Sequence, residues 1–249
     1  MWPGHNPCPA IRTGDDADPR VPALRLPHVI DVLREHLAPS FLEYRDGWAL
    51  QRRIHADVVA GRRPATMVLC EHEPVFTAGK RTAPDERPAD GTPVVDVDRG
   101  GKLTWHGPGQ LTGYPIVRLD ATEAGIDVVA FVRDLESLLI DVAAVLGVEG
   151  ERVEGRSGVW VRTPFGHDKI GAIGLRVQDG VTMHGFALNC SNDLAPYARF
   201  VPCGIRDAGV TTLSALTGRR IEPAEAADLV VERFDRHVRY QGRAVAVAA

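Results

Sequence analysis

At 249 residues, with 44% hydrophobic and 25% charged side chains, the chain has the composition of a soluble globular protein of one large domain or two small ones. A formal net charge of −4, with no block of lysines and arginines, excludes the electrostatic footprint of a nucleic-acid binder. No run of about 18 apolar residues marks a membrane span, and the first twenty residues, MWPGHNPCPAIRTGDDADPR, lack the apolar core of a signal peptide and read as a flexible tail. A cytoplasmic protein is expected, so disulfides are not. Cys8, Cys70, Cys190 and Cys203 lack the paired short spacings of a zinc site, and no metal is expected.

In chain order, HVIDVLREHL (28–37) carries Val29, Ile30, Leu33 and Leu37 at helical spacing, with a strand as the alternative. EYRDGWALQRRIHADVVAG (43–61) predicts a helix with Trp48, Leu50, Ile54 and Val58 on its apolar side and Gly61 as its stop. ATMVLCE (65–71), PVVDV (93–97) and YPIVRL (114–119) read as strands. IDVVAFVRDLESLLIDVAAVLG (126–147) predicts a helix through Val128, Val132, Leu135, Leu139 and Val142. GVWVR (158–162), KIGAIGLRV (169–177) and VTMHGFALNC (181–190) then read as consecutive strands, the last two joined by a QDG hairpin turn. EPAEAADLVVERFDRHVRY (222–240) closes the chain as a helix, with Pro223 suited to its first turn. Together they predict an α+β fold, a mixed and mainly antiparallel sheet flanked by helices.

Chemistry concentrates in four places. DRGGKLTWHGPGQLTGYP (98–115) is the densest glycine cluster, either a tight loop or a backbone that a ligand approaches closely. It is neither a Walker A loop nor a dinucleotide fingerprint: PVFTAGKR has Pro74 where the first glycine belongs, and Gly107, Gly109 and Gly113 miss the second spacing by one residue. Within it, His106 reads as a loop residue with a polar role lining a pocket. His184 interrupts a strand's alternation beside Gly185, where close approach of a ligand explains a glycine in a strand. Lys169 opens the strand KIGAIGLRV and, alone, reads as a solvated strand end. Cys203 stands between Pro202 and Gly204, a turn context that presents a thiol, whereas Cys70 and Cys190 lie in apolar strands and read as inert core. An ammonium beside a thiol favours the nucleophilic thiolate, which gives Lys169 and Cys203 a joint meaning.

Taken in order, RGGKLTWHGPGQLTGYP, KIGAIGLRV, HGFALN and VPCGI with the following GVTTL resemble the octanoyltransferases of lipoate biosynthesis, from about Tyr44 to Leu216. The resemblance implies the α/β catalytic domain shared with biotin and lipoate protein ligases, here a single domain over 40–249 behind a flexible extension over 1–39. It implies that Cys203 is the nucleophile, taking an octanoyl group from the phosphopantetheine of acyl carrier protein, and that Lys169 supports its thiolate. The acyl group then passes to a lysine of a lipoyl domain, in dehydrogenase E2 subunits or the glycine cleavage H protein. Substrate contacts carry over to Arg99, Gly100, Gly101, Lys102, Leu103, Thr104, Trp105 and His106, to Ala172, Ile173 and Gly174, and to Gly185, Phe186 and Ala187. The small side chains of Gly171, Ala172, Gly174, Gly185 and Ala187 are expected to leave room for the acyl chain. No cofactor or ATP is expected, no nucleic acid or membrane partner, and a monomer. An ATP-dependent lipoate protein ligase and a non-catalytic lipoyl-domain or acyl-carrier binding module are the alternatives; neither has a use for Cys203 paired with Lys169.

Overall fold

The computed structural model describes residues 30–88, 92–123, 125–199 and 208–242. The N-terminal twenty-nine residues, with Cys8, and the segment carrying Pro202, Cys203 and Gly204 lie outside the described residues.

The chain opens with β1 (Asp31–Glu35) and α1 (Tyr44–Val59), whose first turn is capped by the Glu43 side chain accepting the Asp46 N–H at 2.9 Å. Then come β2 (Thr66–Cys70), β3 (Val75–Ala78), β4 (Val94–Asp96), β5 (Leu103–His106) and β6 (Gln110–Ile116). Two short strands, β7 (Ala121–Thr122) and β8 (Gly125–Ile126), lead into α2 (Val128–Val145), capped by the Asp127 side chain on the Ala130 N–H. β9 (Glu151–Val153), β10 (Arg156–Thr163), β11 (Gly166–Gln178) and β12 (Val181–Asn189) follow, then β13 (Ala208–Val210), α3 (Leu213–Thr217) and α4 (Pro223–His237), which starts on its proline. The β11–β12 turn places Asp179 and Gly180 at φ +52° and +77°, the left-handed pair of a tight hairpin.

Among the described residues these strands form an eight-stranded sheet in the order β1-β2-β6-β12-β11-β10-β9, with β13 pairing β11. The β1–β2 and β11–β13 pairings are parallel and the others antiparallel. A second sheet has the order β4-β3-β5, and the loop joining β4 to β5 reaches β11 through the Gly100 N–H on the Leu175 carbonyl. One face of the main sheet buries Leu69, Leu111, Ile170, Phe186, Leu188 and Cys190 against Leu135, Leu139 and Val142 of α2 and Val230 and Phe234 of α4. Each such side chain contributes roughly 1.5–3 kcal/mol on burial. On the opposite face Ile54 and Val58 of α1 pack on Val68, Tyr114 and Ile116.

Three readings change. Residues 31–35 of the segment with helical spacing form a strand, not a helix: Ile30 and Val32 pack in the larger core while Leu33 packs under α1, so both faces of this edge strand are apolar. Because β1 pairs with β2 from Asp31 to Glu35, part of the expected 1–39 extension belongs to the main sheet and the domain starts before residue 40. His106 likewise ends a strand, β5, rather than sitting in a loop; the glycines around it mask β5 and the start of β6.

Candidate active site

A cavity of about 270 Å³ opens on the α1 side of the main sheet, between β11, β12 and β6 and the loop that joins β4 to β5. Its floor is made by β11 and β12 in register: Ala172 pairs with Ala187, Ile173 with Phe186, Gly174 with Gly185 and Leu175 with His184. Lys169 lies at one end of this floor and His184 at the other.

Two backbone irregularities set those ends. In the β10–β11 pairing Trp160 faces Lys169 and Val159 faces Gly171, so Ile170 is an extra residue. This bulge lets Ile170 enter the large core while Lys169, Ala172 and Gly174 all line the cavity. At the other end His184 is a non-glycine residue at φ +59° in the middle of a strand, an uncommon conformation that persists only where the surroundings over-determine it.

Lys169 is buried, not a solvated strand end. Its Nζ donates to the Ser157 carbonyl at 3.2 Å and stands 4.4 Å from the centre of the Trp160 ring, a hydrogen bond and a cation–π contact. Ser157 is held in turn through its neighbour. Gly158, at φ +109°, donates its N–H to Oε1 of the fully buried Glu136 at 2.9 Å, and Glu136 Oε2 accepts from Arg133 and Arg152 at 2.8 and 3.0 Å. A Cβ at Gly158 would stand 2.3 Å from the Gly171 carbonyl oxygen, so only glycine fits.

Of the predicted stretch 99–106, Arg99, Gly101, Lys102, Leu103, Thr104 and His106 line the cavity. Trp105 packs with Phe76 and Ala78 in the small sheet, and Gly100 ties the loop to β11 by donating to the Leu175 carbonyl at 2.8 Å. Arg99 is buried, its guanidinium donating to the carbonyls of Thr77, Gly100 and Lys102. Ala172, Ile173, Gly174, Gly185, Phe186 and Ala187 all line the cavity. The expectation that five small residues leave room for a chain needs correction. A Cβ on Gly171 would face Leu139 and Val159 in the core; one on Gly185 would strike the Gly113 carbonyl at 2.1 Å; one on Gly174 would meet Arg99 and Gly100 at 3.1 Å. Gly185 and Gly174 let neighbouring backbone close in, and the side chains that set the corridor's width are Ala172 and Ala187.

His106 and His184 of the cavity, and His72 behind His106, are neutral. Burial, then the nearby His72 and Arg99, pushes His106 down to about 3. Its Nδ1 donates to Gln110 Oε1 at 2.8 Å, since the Gln110 amide nitrogen donates to Trp105 O and Asn189 Oδ1. Burial likewise lowers His72 to about 4, with Nδ1 on the Leu42 carbonyl and Nε2 accepting from the Tyr114 hydroxyl. Burial, then the guanidiniums of Arg99, Arg176 and Arg52, holds His184 at about 3. Burial also raises Cys190 to about 12 and pushes Cys70 higher still, so both free thiols in the described chain are unreactive. Among the described residues no group of three or more His, Cys, Asp or Glu side chains is arranged to hold a metal ion, and no helix is long and apolar enough to cross a membrane.

Tyr44, Arg81, Thr112, Tyr114, Arg156 and Ser157 also line the cavity, and the sequence did not single them out. Thr112 and Tyr114 lie within the glycine-rich stretch 98–115; the others sit in a helix start, a turn and a strand with no local signal. Cys203 lies outside the described residues, but the chain on both sides of it does not: Tyr197 and Val210 line a small annex of the cavity together with Lys169. Val210 pairs directly with Lys169 in the sheet.

The family profile described as the lipoyl protein ligase A/B catalytic domain matches residues 43–235. An octanoyltransferase of Leifsonia xyli subsp. xyli is 58% identical over 202 residues, 80% of this chain and 88% of the relative. One of Clavibacter michiganensis subsp. michiganensis is 52% identical over 226 residues, 89% of this chain and 96% of the relative. Among solved structures, a bi-partite lipoate protein ligase from Thermoplasma acidophilum, described with its E2 lipoyl domain, aligns with a TM-score of 0.57 at 14% identity, covering 85% of this chain and 84% of that one. At that identity the likeness concerns the fold.

Proposed function

We propose that this chain, which belongs to the lipoyl protein ligase A/B catalytic-domain family and is an octanoyltransferase, works through a thioester on Cys203. The Cys203 thiolate attacks the carbonyl of an octanoyl thioester carried on the phosphopantetheine of acyl carrier protein. A carbon–sulfur bond forms to Cys203, the bond to the pantetheine sulfur breaks, and that sulfur leaves as a thiol after taking a proton. The ε-amine of a lipoyl-domain lysine then attacks the acyl-enzyme, forming the amide, releasing Cys203 and shedding one proton. Thioester exchange is near isoenergetic and thioester-to-amide conversion is downhill, so the sequence needs no ATP.

One observation carries this reading: Lys169 is drawn into the cavity, and Tyr197 and Val210, which flank the segment of Cys203, meet it there. A thiol of pKa ~8.5 is mostly protonated at neutral pH, and an ammonium close by that lowers it by ~1.5 units supplies about 2 kcal/mol toward the thiolate. Arg99, Gly101–Thr104, His106, Ala172–Gly174 and Gly185–Ala187 hold the acyl group, and the enzyme acts as a cytoplasmic monomer on its two protein substrates. Intact-mass measurement after incubation with octanoyl-acyl carrier protein tests the proposal. An octanoyl adduct on the Cys203 peptide, lost in Cys203→Ala, is expected; an adduct on Cys70 or Cys190 overturns it.

A further inference from the structure

Asn189 ends β12, pairs with Gln110 of β6 and is buried at 4% exposure. With Lys169, Tyr197 and Val210 it lines the small annex of the cavity. Its amide faces two different parts of the chain. Oδ1 accepts from Gln110 Nε2 at 2.9 Å, and the Tyr197 hydroxyl donates to it at 3.4 Å while accepting from Gln110 Nε2 at 3.0 Å. Nδ2 donates to the Thr211 carbonyl at 3.1 Å. Chemistry fixes this orientation. The Trp105 and Thr211 carbonyls can only accept, so the Gln110 atom on Trp105 and the Asn189 atom on Thr211 are both amide nitrogens. The Asn189 atom left to meet Gln110 Nε2 is then its oxygen, and every bond in the chain pairs a donor with an acceptor.

Tyr197 precedes Cys203 and Thr211 follows it, fourteen residues apart in the chain. Both are tied to this one buried side chain. Thr211 is held twice, since its N–H also donates to the Lys169 carbonyl at 3.1 Å, and its neighbour Val210 pairs with Lys169 in the sheet. The two anchors of the Cys203 segment thus meet at the annex that Lys169 lines. Holding a reacting group near its partner contributes to rate separately from the binding of substrate.

We infer that Asn189 is a positioning residue for the nucleophile: it ties the chain before and after Cys203 to the end of β12 and so keeps the thiol within reach of Lys169. This rests on the reading that Cys203 works with Lys169. Asn189 acts through the chain that carries the thiol, so it governs turnover and the thiol's surroundings rather than donor binding.

The test reads the pH profile of iodoacetamide alkylation at Cys203, with kcat and KM for octanoyl-acyl carrier protein. Asn189→Ala releases the Thr211 carbonyl and the Tyr197 hydroxyl from this side chain. Its alkylation profile should move upward by about one pH unit and kcat should fall roughly tenfold, with KM within about twofold of wild type. Tyr197→Phe keeps the ring against Trp105 and loses only the hydroxyl, so its profile should move the same way by less. In a Lys169→Met background neither substitution should move the profile further, because the ammonium that the thiol is held against is gone. A folded Asn189→Ala enzyme with wild-type profile and kcat overturns the proposal, and so does a shift of full size in the Lys169→Met background. If the alanine variant does not fold, an unmoved profile in Tyr197→Phe overturns it. Alkylation needs no acyl donor, so the two readings fail separately. A shifted profile in the variants with no octanoyl adduct on wild-type Cys203 sinks the thioester reading and leaves the role of Asn189 standing; an adduct with an unmoved profile does the reverse.

Discussion

Glu136 touches no part of the cavity, yet replacing it should slow the reaction. Glu136→Leu removes the acceptor of the Gly158 N–H and the partner of Arg133 and Arg152. The stranded N–H is buried and costs about 1–3 kcal/mol. The two arginines keep 45% and 37% of their side chains exposed, so they rehydrate and add only ~0–1 kcal/mol. A loss of about 2 kcal/mol lowers Tm by roughly 4–8 °C in a domain of this size and leaves it folded at 25 °C. The consequence for activity runs through one peptide: with Gly158 released, the Ser157 carbonyl no longer holds Lys169 Nζ at 3.2 Å. Turnover should fall with KM little changed, and the pH profile of iodoacetamide alkylation at Cys203 should move upward as the thiolate loses its ammonium. Glu136→Gln keeps an amide oxygen for Gly158 N–H and should lose stability while retaining most of the wild-type alkylation profile. Both variants are assayed well below their Tm. A Glu136→Leu enzyme with wild-type turnover and alkylation profile would show that the Ser157 carbonyl does not position Lys169.

Lys169→Met should raise the pH at which Cys203 alkylates, and Lys169→Arg should rescue alkylation better than turnover, because a guanidinium restores charge but accepts no proton at accessible pH; a methionine variant with the wild-type profile removes Lys169 from thiol activation. Ala187→Leu should narrow the corridor and shift donor preference toward shorter chains, read with hexanoyl, octanoyl and decanoyl carrier protein, whereas Gly185→Ala should fail to fold or lose stability severely because its Cβ would stand 2.1 Å from the Gly113 carbonyl. His72, His106 and His184 all have depressed folded values, about 4, 3 and 3, against 6.5 for the free side chain. Protons therefore bind the unfolded chain first: stability is unaffected above pH 6.5, falls as pH drops from there toward 4 and 3, and loses up to roughly 1.4 kcal/mol per pH unit for each ring. Urea midpoints from pH 7.5 to 5 should fall accordingly, and a flat profile would mean that the rings are protonated in the folded protein.

What the sequence revealed and what it hid follow from the same geometry. The helices α1, α2 and α4 were legible because each buries one stripe, which leaves a period in the chain, and β10 to β12 because they are strand-forming runs bounded by turn signals, although β12 is buried on both faces. β1 was not, since an edge strand with apolar residues on both faces has no period to read, and Val29, Ile30, Leu33 and Leu37 match a helix by accident of spacing. Most of the cavity's wall residues were found through motifs, but the motifs did not say which glycines make room and which admit a neighbouring backbone; Gly185 against Gly113 is a contact between residues seventy-two positions apart, invisible to local pattern. Glu136 gave no signal at all, because its meaning depends on a strand twenty-two residues on. The two ends of the corridor are the informative case. Lys169 and His184 enter it because the backbone departs from strict alternation, by a bulge at Ile170 and a left-handed residue at 184. A departure of that kind appears in sequence as a polar residue out of phase beside glycines, KIGAIG and MHGF, and it was legible there as an oddity. Its cause was not, because period-two reasoning assumes the alternation that both sites break. In these two strands the polar residues that violate the pattern stand at the two ends of the cavity, and the violation is the signal to keep.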